Sequence, residues 1–174
     1  MRILDEIRGS DKKPKALLIY LSEKVKKDKS LLKDFSDCLK NATTVEKGTL
    51  MEILEYASKN DPDSAISHLD EVINHLNFDA PRVKWEAARV IANLSQRYPE
   101  KVAKAIDKLL TNANNKGTVV RWSSAFALGE IAKYNKKIKT ELVKKIENLS
   151  KKEQNNGVKN VYLKALKIIN KQNE

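Results

Sequence analysis

Apolar residues return along the chain every three or four positions: Leu17, Leu18, Leu21 and Val25; Ile66, Leu69, Ile73 and Leu76; Val102, Ile106, Leu109 and Leu110; Leu142, Val143, Ile146 and Leu149. That period predicts amphipathic helices, and no stretch shows the two-residue alternation of a half-buried strand. Pro14, Pro62, Pro81 and Pro99 each precede such a run. A missing N–H and a fixed φ suit the first helical turn, so these prolines read as helix starts. Asp61 and Asp79 stand beside two of the starts as expected caps.

The helices repeat. VEKGTLMEILEYASKN from Val45, VKWEAARVIANLSQRY from Val83, VRWSSAFALGEIAKYN from Val120 and VKNVYLKALKIINKQN from Val158 align at steps of 38, 37 and 38 residues. Each full unit continues, after a short break, into a second helix: KNDPDSAISHLDEVINHL, RYPEKVAKAIDKLLTN and YNKKIKTELVKKIENL. Residues 14–42 read as a more divergent copy of the same pair. A two-helix unit of this length cannot bury its own apolar face, so units must stack.

Within the repeat, Asp79, Pro81, Val83, Lys84, Ala87, Ala88, Ile91 and Leu94 form a pattern that resembles the first helix of a HEAT repeat. Val120, Arg121, Ala125, Leu128 and Ile131 repeat it, and armadillo-type repeats are close relatives of the same pattern. The resemblance implies an all-α fold, a right-handed α-α superhelix or solenoid of about four to five HEAT-like helix pairs. It forms one domain over 1–174, with repeats starting near 8, 45, 83 and 120 and a C-terminal capping helix over 158–172.

Composition narrows the function. With 41% hydrophobic and 33% charged residues the chain is globular. The single cysteine, Cys38, excludes an internal disulfide and reads as a buried, inert thiol in phase with Leu32, Phe35 and Leu39. No run approaches the roughly 18 apolar residues of a membrane span, and the N-terminus carries charges where a secretory signal would be apolar. A cytoplasmic protein with no membrane association and no cofactor is the expectation. His68 and His75 are seven residues apart on one helix, too far to share a metal ion. They lie outside the apolar stripe and are expected to face water. The five glycines stand apart and form no phosphate-binding loop.

The net charge of +11 is uneven. Residues 43–82 hold 3 basic and 8 acidic residues, net −5, whereas 83–174 hold 20 basic and 8 acidic, net +12. The resemblance implies that second helices line the concave side, which places Lys101, Lys104, Lys108, Lys144 and Lys145 on a basic contact surface. Trp85 and Trp122, the chain's two tryptophans, occupy equivalent positions in consecutive units beside small residues. They read either as packing between helices or as ring platforms for a partner.

Some HEAT-like proteins are DNA glycosylases for alkylated bases, and that resemblance implies a carboxylate beside aromatic walls. Arg89 and Phe126 stand one turn after the tryptophans instead, and Glu86 points to another side of the helix. The reading is therefore a non-catalytic protein-protein interaction or scaffolding module. Nucleic-acid binding through the basic C-terminal half is the alternative.

Overall fold

The computed structural model describes residues 2–172, and among them there is no strand. Five helices form a continuous ladder: α2 (Pro14–Lys27), α4 (Thr44–Asn60), α6 (Pro81–Leu94), α9 (Thr118–Tyr134) and α11 (Asn156–Lys171). Each packs on the next, α2 on α4, α4 on α6, α6 on α9 and α9 on α11. Behind the ladder lie α3 (Phe35–Asn41), α5 (Leu69–His75), α7 (Pro99–Val102) with α8 (Ile106–Asn112), and α10 (Lys139–Lys152), while α1 (Ile3–Arg8) covers α3 and α4. This is the stack of helix pairs that the repeat period predicts.

All four prolines lie in the first turn of a helix, Pro62 opening a 3-10 turn. The expected aspartate caps are not there. Ala80, not Asp79, is the N-cap of α6, and Asp61, though at an N-cap, spends its carboxylate on Lys29. A reciprocal cap lies elsewhere: Thr43 Oγ1 accepts from the Glu46 amide at 3.3 Å while Glu46 Oε2 accepts from the Thr43 amide at 2.7 Å. It satisfies two backbone donors at the start of α4.

The second helices opened by Pro62 and Pro99 are not continuous. The run after Pro62 forms the 3-10 turns Pro62–Ser64 and Ile66–His68 before α5, and a turn over Ala103–Ala105 separates α7 from α8. At the first break the Ser64 hydroxyl donates to the Asp61 carbonyl at 2.7 Å, and the Ala65 amide turns to Pro62 at 3.2 Å. A local side-chain bond thus replaces the i→i−4 bond of a regular helix.

Burial fixes the repeat register. Val120, Ser124, Ala127 and Ile131 of α9 and Val158, Tyr162, Ala165 and Ile169 of α11 are buried at matching positions, 38 residues apart. On α4, Leu50, Ile53 and Ala57 take the places of Ala87, Val90 and Leu94, a step of 37. Val45 is therefore no counterpart of Val83. It sits one residue out of phase and is 73% exposed, where Val83 is 0% exposed.

Asparagines stitch the joints, Asn112 and Asn135 buried and Asn93 half-buried. Asn93 Nδ2 donates to the Glu55 carbonyl and Ser58 Oγ, each at 3.0 Å, Asn112 Nδ2 to the Leu76 carbonyl at 2.8 Å, and Asn135 Nδ2 to the Pro99 carbonyl at 2.9 Å. The Asn112 bond satisfies the carbonyl of Leu76, at the end of α5, which the helix itself leaves open.

Both histidines are buried, contrary to the expectation that they face water. The His68 ring meets Phe35 with centroids 5.1 Å apart, and burial holds its pKa below the usual value. His75 sets Nδ1 2.8 Å from the Glu71 carbonyl and stacks on Phe78 at 5.7 Å. A second helix covered on more than one side buries more than a single apolar stripe. Cys38 is buried, as its phase predicts.

Candidate functional site

One solvent-facing stripe runs along each ladder helix. On α6 it is Arg82, Trp85, Arg89 and Asn93; on α9 it is Val119, Trp122, Phe126, Glu130 and Lys133, both spaced by three and four. Successive stripes align in rows across the joints. One row holds Gly48, Trp85, Trp122 and Asn160; the next holds Glu52, Arg89, Phe126 and Lys164; a third holds Tyr56, Asn93, Glu130 and Ile168.

The rows bring the two tryptophans together. The Trp85 and Trp122 rings stand 6.4 Å apart, and Trp122 stacks on Phe126 at 5.7 Å with the planes 23° apart. Trp122 is 36% exposed, and Trp85 is half-buried with its indole Nε1 enclosed and without a hydrogen-bond partner. Trp85, Thr118, Val119 and Trp122 line a groove of about 290 Å³ over the joint between α6 and α9. Ala88 and Ala92 of α6 and Ala125 and Gly129 of α9 are all buried, and Gly129 faces Ala165 of α11. The Trp85 indole thus has its Nε1 edge packed, while Trp122 is partly open to solvent.

Where α4 meets α6, charge is neutralised within the molecule. Arg82 donates to Glu52 at 2.6 Å, and Arg89 is shared between Glu55 at 2.9 Å and Glu86 at 3.1 Å. Burial pushes the Glu86 carboxyl up to about 7; Arg89 opposes the rise, and the neighbouring Glu52 and Glu55 add to it. Although Glu86 follows Trp85 in sequence, its carboxylate turns toward α4 and stays 5% exposed, so it is not presented between the indoles. Sequence reasoning missed this network. The 34-residue separation of Glu55 from Arg89 offers a signal only once the register is known.

The predicted lysines lie apart from the tryptophans, on the second helices. Lys104 pairs with Asp70 at 3.5 Å, Lys108 donates to Asn74 Oδ1 at 3.2 Å and the Ile73 carbonyl at 3.3 Å, and Lys145 pairs with Glu141 at 2.8 Å. Lys101 stands over the Tyr98 ring at 5.3 Å, and Lys144 is exposed. Lys104 and Lys108 thereby tie one repeat to the previous one. Among the described residues no group of three or more His, Cys, Asp or Glu side chains is placed to hold a metal ion, and no helix is long and apolar enough to cross a membrane.

No protein-family model and no curated protein matches the chain. Solved structures do. The chain is similar to a designed armadillo repeat protein in complex with the peptide (KR)4, with a TM-score of 0.74 at 14% identity over 98% of this chain and 87% of that one. A second designed armadillo repeat protein gives a TM-score of 0.70 at 14% identity, over 96% and 80% of the two chains. An engineered protein gives 0.60 at 12% identity, over 97% and 95%. At these identities the likeness is one of fold, a HEAT/armadillo-type helical repeat.

Proposed function

We propose that the protein is a non-catalytic binding or scaffolding module, cytoplasmic, whose ladder face receives an extended segment of a protein partner. The observation that carries this reading is the open aromatic run Trp85, Trp122 and Phe126 beside an apolar groove. Planar rings supply large contact area at low conformational cost, and an extended chain matches a row of equivalent positions better than a compact ligand does. A similar fold holding the peptide (KR)4 supports the same reading.

The second-helix lysines take a lesser part. Lys104, Lys108 and Lys145 are already committed to partners within the chain, which leaves Lys101 and Lys144 as its freer charges. Nucleic-acid binding through this basic side stands as the alternative, drawing on the +12 net charge of residues 83–174.

Since Trp85 and Trp122 are the only tryptophans, their emission reports the ladder face directly. Extended peptides are expected to shift it saturably. Duplex and single-stranded DNA and RNA, titrated at low salt where phosphate binding is strongest, are expected to leave it unchanged. Nucleic acid that binds tightly while no peptide does would replace this reading with the alternative.

A further inference from the structure

The ladder face is electrically lopsided. At its α4 and α6 end the guanidinium and carboxylate groups neutralise one another, and on α9 Lys133 pairs with Glu130 at 2.5 Å. The helix α11 differs: over Asn156–Lys171 it carries Lys159, Lys164, Lys167 and Lys171 and no acidic residue. Lys164 occupies the row of Phe126, Lys171 the row of Lys133, and both are exposed. Neither has an ion-pair partner among the described residues. Beside them Ile168, 43% exposed, continues the row of Glu130. An apolar, aromatic groove therefore lies one joint away from uncompensated positive charge.

Building on the peptide-binding reading, we propose that the partner segment is acidic. A large apolar side chain seats in the groove of Trp85, Val119 and Trp122, and carboxylates follow over Lys164 and Lys171. Packed helices stand about 8–10 Å apart and an extended chain advances about 3.3 Å per residue; α11 lies about one and a half spacings from the joint of α6 and α9, so the first carboxylate lies about four residues beyond the apolar anchor. A run of Lys and Arg, such as the one held by the similar designed protein, meets repulsion at α11. Here the charge of the occupant is set by the last ladder helix, while the tryptophans set only the anchor.

Three capped peptides test this, each with Phe at one end of an extended stretch whose remaining charged positions are all Glu, all Lys or all Gln. Tryptophan emission is followed in the full chain at low and high salt. The Glu peptide is expected to bind about tenfold or more tighter than the Gln peptide, with an advantage that shrinks as salt rises. In the double variant Lys164→Glu/Lys171→Glu, two exposed changes whose folding is checked by circular dichroism, the order of the Glu and Lys peptides is expected to invert.

Equal or tighter binding of the Lys peptide to the unmodified protein overturns the acidic partner and leaves the peptide-binding reading standing. So does a Glu peptide indifferent to the charge reversal. If none of the three peptides moves the emission, both readings fall. Vesicles of phosphatidylserine offer the same charge with an apolar surface, and binding to them but not to the Glu peptide also overturns the proposal.

Discussion

Across the joint between α6 and α9, the rings of Trp85 and Trp122 lie with centroids 6.4 Å apart and planes tilted by 46°. The tilt leaves one face of Trp122 open while its other neighbour, Phe126, stacks on it. Such offset contacts are worth about 0.5–1.5 kcal/mol beyond the area they bury.

Replacing Trp122 by Ala is accordingly expected to cost roughly 1–2 kcal/mol of stability, a modest loss for so large a side chain, because its face is already in water. The folded protein remains, and its response to peptide disappears. Urea unfolding read by circular dichroism, together with the emission of the remaining Trp85, checks both halves. A variant that binds peptide unchanged would remove Trp122 from the site.

Glu86 makes stability depend on pH. Its carboxyl, raised from 4.5 to about 7 chiefly by burial, binds its proton more tightly in the folded chain than in the unfolded one. The contribution is fully present below about pH 4.5 and is lost as pH rises through about 7. Glu86→Gln, which keeps the shape of the protonated acid, is expected to be more stable than the parent above pH 7 by up to about 3 kcal/mol. The advantage vanishes near pH 4.5. Melting temperatures of both proteins across this range decide it.

Glu46 works in the opposite direction. Hydrogen bonds from the Arg8 side chain and the Thr43 backbone hold its carboxyl down, from 4.5 to about 2. Stability from this group is present above about pH 4.5 and is lost as pH falls through about 2. Glu46→Gln is expected to cost roughly 1 kcal/mol, the scale of a helix cap. That gap should persist at about pH 4 and close near pH 2. Parallel acid titrations of the two proteins by circular dichroism measure it.

At Gly129 the limit is steric. A Cβ there would stand 2.7 Å from the Ala165 Cβ, closer than such atoms approach. Gly129→Ala is expected to push α11 off α9 at a cost of about 1–3 kcal/mol, with Ala165→Gly restoring part of the loss. Hydrogen exchange should quicken first in α11. Uniform quickening along the whole chain would show that the contact is not confined to this joint.

The hydrophobic period made the helix pairs, their stacking and the helix-starting prolines readable from sequence, because each depends on local spacing. The register of α4 was not readable, since Val45 imitates Val83 in sequence while facing water. Thr43 and Glu46 carry a capping signal in the sequence, three residues apart before an apolar run. His68 and His75 misled because a single-stripe wheel assumes one covered side, whereas 3-10 turns and neighbouring rings enclose both. The tryptophans were legible as a pair, but whether they face out depends on what the adjacent ladder helix places beside them. Only the fold settles that, and it also separates them from the lysines of the second helices.

The principal contacts of each ladder helix run to the helices just before and after it. No central nucleus ties α2 to α11, so loosening one joint leaves distant joints almost untouched. Heat or denaturant should therefore fray the molecule from its ends inward rather than melt it in one step, passing through partly unzipped forms in which the Trp85 and Trp122 joint, well inside the stack, is among the last to open. A ligand clasped across that joint would act as a rivet, raising the cooperativity of an array that is otherwise free to open one unit at a time.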